Sequence, residues 1–562
     1  MNFRQILAVA LTAVAVEARS IRRETSDATL PIVNTTLGQL QGSLSNFRSP
    51  LVTSYKGIPY AKAPTGDLRW KAPVAAEPWD GVFNATEFGP QCMQIYSDAG
   101  IFSSGKETMS EDCLTLNIWT PTYNDTSDLT SLNTPVYFWI FGGRFEGGSG
   151  DVKTYDGSGL ASKGVIVVTL NYRLGAFGYL AHPDLQAEDA NNSTGNYGIM
   201  DQQFALKWVH ENIANFGGNP EQIVVGGQSA GSSSALDVMY SPLTDGLGVA
   251  GIIAESGARG PQDEMTGGLA TSYRNFTWAI SEGENFVANS LNVSTIAEAR
   301  NISAETLATF GNDMDTSMDG TPFIAASAAY SDPPYWRPTI DGYVLAYKYG
   351  EALLTGNHLD VPILTGNNKD ESGAAPDTDL TVAEFTSEMT SVMQNYSTEF
   401  FKLWPAGDNS TAASDQFNTF FRDLSRVSTW TWVKDWIAGG ATSKVYTYYW
   451  THTPAENSGN GAYHGSELWY TFNNIPYADY DNVTWTEEDY QIESIMSDYW
   501  VNFISTGNPN GAGTSNLTNF IETTSDSAQT MWLGDSWGAS YLAESDERVQ
   551  FILNWLSIFD MY

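Results

Sequence analysis

Gly227-Gln228-Ser229-Ala230-Gly231 is a G-x-S-x-G, the spacing that puts a serine hydroxyl on a tight turn between a strand and a helix. The apolar Ile223-Val224-Val225 before it reads as the strand, and Ser232 to Tyr240 after it as the helix. Small neighbours leave room for a strained serine backbone. The N–H of Ala230, at the helix start, would face an oxyanion developing on an attacked carbonyl. The chemistry this implies is nucleophilic acyl transfer, which needs a base.

Only five histidines occur: His182, His210, His358, His452 and His464. Where a serine is used at such a turn, an acid and then a histidine follow it along the chain, which leaves the last three. The need for an intervening acid narrows them further. His464 lies in "GAYHGSELWY", a glycine-flanked loop before a helix-like run, which suits a ring held at a sheet edge. His452, in "YYWTHTP", follows a strand and reads as structural. The acid candidate is Glu371 in "GNNKDESG", after a strand expected over Val361 to Leu364; on residue type alone Asp370 competes evenly with it. A third feature is "VYFWIFGGRFEGGSG", where the run Val136 to Phe141 reads as a buried strand breaking into glycines. Such a loop presents backbone N–H groups to an anion, yet Arg144 stands in its middle. Its side chain has two places to go. One is outward, to a surface carboxylate such as Glu146. The other is into the pocket, where a fork of donors would favour an acidic or oxygen-rich acyl group.

These residues need elements to hold them. "GVIVVTLNYRLGAFGYL" from Gly164 begins as a β-branched run, and "DQQFALKWVHENIANFGG" from Asp201 has near-helical apolar spacing ended by Gly217-Gly218. "EQIVVGGQSAGSSSALDVMY" repeats strand, turn and helix. Alternating strands and helices predict an α/β fold with a parallel sheet covered on both faces. The stretch from about Arg259 to Tyr330 is more polar and helix-leaning, and reads as an insertion over that sheet. "RPTIDG" (Arg337 to Gly342) and "VPILTGNNKDESG" (Val361 to Gly373) return to strand and turn.

The bulk numbers bound the function. A 562-residue chain with 42% hydrophobic and 16% charged residues has a substantial core. Its net charge of -38, from 27 basic and 65 acidic residues, argues against nucleic-acid and anionic-lipid partners. Arg4, the apolar or small run Ile6 to Val16, and Val16-Glu17-Ala18 match a signal peptide over residues 1–18. The run is too short for a spanning helix, which needs about 20 residues. Arg22-Arg23 offers a second processing site, and no later segment reads as a membrane anchor. Secretion is therefore expected. Two cysteines, Cys92 and Cys113, predict one disulfide in that setting. Twelve N-x-[ST] sequons fit the same route: Asn34, Asn84, Asn124, Asn191, Asn192, Asn275, Asn292, Asn301, Asn395, Asn409, Asn482 and Asn516. With neither a Cys/His cluster nor a phosphate loop in view, no metal or cofactor is expected.

The chain resembles the type-B carboxylesterase/lipase family of the α/β-hydrolase fold, and within it looks most like secreted fungal carboxylesterases and lipases. The resemblance is carried by "YKGIPYAKAPTGDLRW", "SEDCLTLNIWTP", "WIFGGRFEGGS", "NYRLGAFGYL", "NYGIMDQQFALKWVHENIANFGGNP", "GGQSAG", "AESGA", "GNNKDES", "AYHGSEL" and "WVNFISTGNPN". It implies one α/β-hydrolase domain over residues 19–562, with a large, mostly parallel central sheet, helices on both faces and helical insertions. It also implies Ser229 as nucleophile, Glu371 as acid and His464 as base. Backbone N–H groups of Gly143, Arg144 and Ala230 become the oxyanion hole, and Cys92–Cys113 the disulfide bordering the site. Three positions depart from the family's pattern: Gln228 where Glu is usual, Ser372 where Gly is usual, and Arg144 in place of the third glycine. The loop between the cysteines holds twenty residues, with Tyr96 and Phe102 but no Trp. That argues against choline esters and for soluble or short-chain esters over triglyceride. The expected activity is hydrolysis of a small-molecule or lipid ester through an acyl-enzyme. A triglyceride lipase and a catalytically weakened binding relative are the alternatives.

Overall fold

The computed structural model describes residues 32–562 apart from 46–51, 98–99, 106–107, 123–127, 269–270, 317–320, 322, 325–326, 328, 478–482 and 513–515. The expected leader and both processing sites lie outside the described residues, as do Asn124 and Asn482.

Among the described residues eleven strands form the main sheet: β1 (Ser43–Leu44), β2 (Val52–Pro59), β3 (Thr115–Pro121), β4 (Thr134–Ile140), β5 (Ile166–Leu170), β6 (Gly218–Gln228), β7 (Val249–Glu255), β8 (Ile363–Asn368), β9 (Val445–Trp450), β10 (Gln529–Leu533) and β11 (Gly538–Tyr541). Their spatial order is β11-β10-β9-β8-β7-β6-β4-β5-β3-β2-β1. From β5 across to β10 every pairing is parallel, and the antiparallel pairs lie at the two ends. The central strands are buried along nearly their whole length; "IVVTL" of β5 is wholly buried, as a strand covered on both faces must be. This is the α/β-hydrolase architecture, and it matches the fold expected from the alternation of strands and helices.

The covering helices include α1 (Tyr197–Asn212), α2 (Ala230–Tyr240), α3 (Val382–Met393), α4 (Ser410–Ala438), α5 (Glu487–Thr506) and α6 (Asp546–Leu556). Their starts follow from local chemistry. Asn409 accepts the Ala412 N–H to cap α4, and Thr486 with Asp489 forms a capping box on α5. Helix α1 passes into a short 3-10 turn, and Gly217 then stops it in the left-handed region at φ 90°. A second core sits apart from the sheet, where Phe385 of α3, Phe420 of α4 and Trp555 of α6 pack with Phe400 and Trp404.

Several signature residues turn out to be braces. Arg69 holds Glu111 of "SEDCL" by two bonds, Nε to Oε1 at 2.7 Å and Nη2 to Oε2 at 2.6 Å. Arg173 of "NYRLG" grips Asp201 of α1 in the same forked way. Two expectations need correcting. "RPTIDG" forms no strand: Arg274 N–H donates to Pro338 O and Thr339 N–H to Asn196 Oδ1, so the segment is tied to the inserted region and to the residue before α1, not to the sheet. The strand expected over Val361 to Leu364 is Ile363–Asn368, because Pro362 lacks the N–H that a ladder position needs. Among the described residues no helix is long and apolar enough to cross a membrane.

Candidate active site

At the carboxyl edge of a parallel sheet, the loops leaving neighbouring strands converge. Strand β4 runs into Gly142-Gly143-Arg144, β6 into Ser229, β7 into Ser256, Gly257 and Arg259, and β8 into the turn bearing Glu371 and Ser372. With Phe102, Pro334 and His464, these loops line a cavity of about 330 Å³, a size suited to a small-molecule ligand.

Ser229 has φ 60° and ψ -125°, a conformation that costs a non-glycine residue about 1–3 kcal/mol. The small neighbours are required. A Cβ on Gly227 would lie 2.2 Å from Gly231 O, and one on Gly231 would lie 2.1 Å from Ile140 O. Strain gathers here: Arg144, Ser229, Ser256 and Ser372 all have positive φ and all line the cavity. The N–H groups of Gly143, Arg144 and Ala230, which also line it, make no hydrogen bond to the described residues. Unused donors beside a half-buried serine that reaches the cavity are what an oxyanion hole requires.

His464 Nδ1 lies 2.6 Å from Glu371 Oε2, while Glu371 Oε1 accepts the Asn368 N–H at 2.8 Å. The proton on Nδ1 then faces the carboxylate, and Nε2 keeps its lone pair. That lone pair meets Gln228 Nε2 at 3.0 Å, and Ser229 Oγ makes no hydrogen bond to the described residues. Burial pulls the His464 pKa down, but the hydrogen bond and charge of Glu371, with the charge of Glu467, outweigh it and raise the pKa above 6.5. Behind the ring, burial and the charge of Glu371 push the Glu467 carboxyl up to about 7. Burial and Glu467 raise Glu255 well above the carboxylate range. The interior behind His464 thus holds less negative charge than its formal count.

Asp370 is engaged elsewhere. Its Oδ1 accepts Arg422 Nη2 at 2.5 Å and its Oδ2 accepts the Ala462 N–H at 2.9 Å, so it cannot also serve His464. The other histidines lie away from the cavity lining. His182 caps a short helix through the Asp184 N–H, His210 Nδ1 lies against Pro220 O, and His358 stacks on Trp436 at 4.2 Å.

His452 is a brace, as its context implied. Its Nδ1 is 2.7 Å from Asp535 Oδ1 and its Nε2 is 3.1 Å from Asp489 Oδ1. Burial opposes its charge, but the two carboxylates win and raise its pKa to about 9. A rise from 6.5 to about 9 corresponds to roughly 3 kcal/mol, and about 2 is expected because Asp535 is 57% exposed and screened. The folded state gains this fully below pH 6.5 and loses it as pH rises through about 9. Asp489 is opposed by burial but held below the carboxylate range by His452, Thr486 and Tyr470, so its share is present above about pH 4 and lost in stronger acid. His452→Ala should therefore lower Tm most at pH 4–6.5 and little at pH 10, with ester turnover retained. Thermal unfolding at three pH values checks this. A turnover loss as deep as that of His464→Ala would reopen the choice of base.

Arg144 goes to neither place in pure form. Its φ is 58°, in the region glycine prefers. Its Nη2 donates to Asp332 O at 2.9 Å and its Nε is 3.7 Å from Glu146 Oε2, yet the residue lines the cavity. Glu146 is buried, not a surface carboxylate. Burial lifts its carboxyl to about 7 despite the opposing charge of Arg144. Arg259, also in the lining, was not singled out from the sequence. Its place comes from sheet order: it follows the end of β7, the strand beside the one that ends just before Ser229.

Cys92 and Cys113 are bonded. Phe102, between them in sequence, reaches the cavity and packs so closely that a Cβ on Gly465 would lie 2.4 Å from its ring. The ten sequon asparagines among the described residues are all exposed. Among the described residues no three His, Cys, Asp or Glu side chains converge to hold a metal ion.

Comparison with known proteins agrees in kind. A family model described as the carboxylesterase family matches residues 29–551. The chain is 33% identical over 476 residues to the fumonisin B1 esterase of Sphingopyxis macrogoltabida, covering 82% of this chain and 79% of that protein. It is 30% identical over 484 residues to the para-nitrobenzyl esterase of Bacillus subtilis (strain 168), covering 85% and 90%. A solved structure of a PNB esterase superposes with a TM-score of 0.72 at 28% identity, over 93% of this chain and 99% of that one.

Proposed function

We infer the mechanism from a plain premise: the chain belongs to the carboxylesterase family and is a carboxylic-ester hydrolase. In our reading Ser229 is the nucleophile, His464 the base and Glu371 the group that orients it. His464 Nε2 takes the Oγ proton as Oγ attacks the ester carbonyl, and the carbonyl oxygen moves toward the N–H groups of Gly143, Arg144 and Ala230. The ring then gives its proton to the leaving alcohol, and water repeats the sequence to free the acid. The Gln228 bond to Nε2 must yield to Ser229 Oγ when an ester enters. Catalytic hydrogen bonds of a free enzyme commonly tighten only in the complex. The observation that carries this reading is one cavity lined by a serine on a strained turn, three unused N–H groups and His464, whose ring is paired from behind with Glu371. The cavity's volume and the short disulfide loop favour soluble or short-chain esters. A disulfide and ten exposed sequons favour a secreted glycoprotein.

One experiment tests both parts. Protein collected from the culture medium of its source is treated with a fluorophosphonate and mapped by peptide mass spectrometry. A single adduct on Ser229 with loss of turnover is expected, together with glycans and an N-terminus beyond residue 18. Full turnover without that adduct would remove Ser229 from the mechanism; unmodified sequons on protein confined to cells would remove secretion.

A further inference from the structure

We propose that the acyl part of the natural ester carries a free carboxylate, received between the guanidinium groups of Arg144 and Arg259. This rests on the serine-esterase reading above and goes beyond it to the substrate's charge.

The cavity is an electrostatic exception. The chain has 65 acidic residues against 27 basic ones, yet among the described residues the lining contains two arginines and neither Asp nor Glu. The residue next to the nucleophile is the neutral Gln228. The overall charge of -38 does not oppose this strongly, because salt screens surface charge beyond about 10 Å, while groups inside a cavity act in a lower dielectric.

Both guanidinium groups are held in place with donors to spare. Arg259 is 3% exposed. Its Nε and Nη2 are fastened to Asp263 Oδ2 at 3.0 and 2.9 Å, and its Nη1 makes no hydrogen bond to the described residues. Arg144 is tethered through Nη2 to Asp332 O, and its Nη1 likewise has no partner among them. Their carboxylate neighbours, Asp263 and Glu146, do not line the cavity. Two charged Nη1 groups, ordered in advance, suit a carboxylate better than a hydroxyl or an alkyl chain. The acyl side follows from where Arg144 stands: in the serine-esterase reading its own N–H receives the ester carbonyl oxygen, so its side chain starts beside the acyl carbon. The alcohol departs beside His464.

The test compares matched esters at pH 7: ethyl butyrate with ethyl hydrogen succinate, and ethyl valerate with ethyl hydrogen glutarate. Wild type should prefer the carboxylate-bearing member of each pair in kcat/KM. Arg144→Gln should reduce that preference about ten- to a hundredfold, the range of one charged hydrogen-bonded contact. Succinate should inhibit wild type competitively and Arg144→Gln at least tenfold more weakly. Arg259→Gln combined with Asp263→Asn, which strands no buried charge, should reduce the preference similarly. The Arg144 variant decides the matter if that pair fails to fold. An unchanged preference in Arg144→Gln would overturn the proposal. So would a preference appearing only when the carboxylate is on the alcohol, as in the butyryl ester of glycolate. Turnover of ethyl butyrate that a fluorophosphonate does not block would instead sink the underlying serine mechanism.

Discussion

Ser229→Ala and His464→Ala should each lower kcat about 10⁴- to 10⁶-fold, and the double variant should be little worse than either. The proton leaves Ser229 in the same step in which the ring receives it, so removing one partner leaves the other nothing to do. What survives is positioning by the N–H groups of Gly143, Arg144 and Ala230, which neither change touches. Stability should respond differently to the two. Ser229 Oγ makes no hydrogen bond to the described residues, so its loss should leave Tm close to wild type. His464→Ala takes a partner from the buried Glu371, which retains the Asn368 N–H, and should cost about 1–3 kcal/mol. Steady-state kinetics on ethyl butyrate with thermal unfolding of all three variants checks this. Losses that multiply in the double variant would mean that the two side chains act independently.

How far the site could be read in advance depended on the range of the interaction that decides each residue. The nucleophile turn is local: five residues carry the strand end, the missing side chains and the helix start, and Ser229 lies where "GGQSAG" put it. His464 needed more, because only its glycine neighbours marked the loop, and its exclusive place in the cavity depends on four other histidines being held elsewhere. Asp370 and Glu371 could not be separated by type or spacing. The tie is broken by Arg422, fifty-two residues along the chain. Arg144 illustrates the same limit, since its direction is set by Asp332 O, 188 residues away. Arg259 was missed because its meaning comes from sheet order, which places the ends of β6 and β7 side by side.

Glu371→Gln should lower kcat about 10³- to 10⁴-fold and move the acid limb of the pH profile down. Both effects follow from the two oxygens. Asn368 N–H already donates to Oε1, so a glutamine would keep its carbonyl oxygen there and turn its NH₂ toward His464 Nδ1. Two donors cannot face each other, so the ring would shift its proton to Nε2, the atom that must accept from Ser229. In wild type Glu371 helps to raise the His464 pKa, and turnover needs the neutral ring, so activity should begin to fall on acidification at a pH above 6.5. Without the charge that limb should shift toward lower pH even as the maximum drops. Asp370→Asn keeps an acceptor for the Ala462 N–H and loses the tie to Arg422, which lies outside the cavity lining, so it should stay within about tenfold of wild type and leave the limb in place. Measuring kcat/KM from pH 4 to 9 for the two variants separates the carboxylates. An acid limb unmoved by Glu371→Gln, or one moved by Asp370→Asn, would assign the orienting carboxylate wrongly. The neighbouring Glu467 would still put charge near the ring in the Gln variant but could not orient it, because its Oε2 is held by Asn368 Nδ2 and it makes no hydrogen bond to His464.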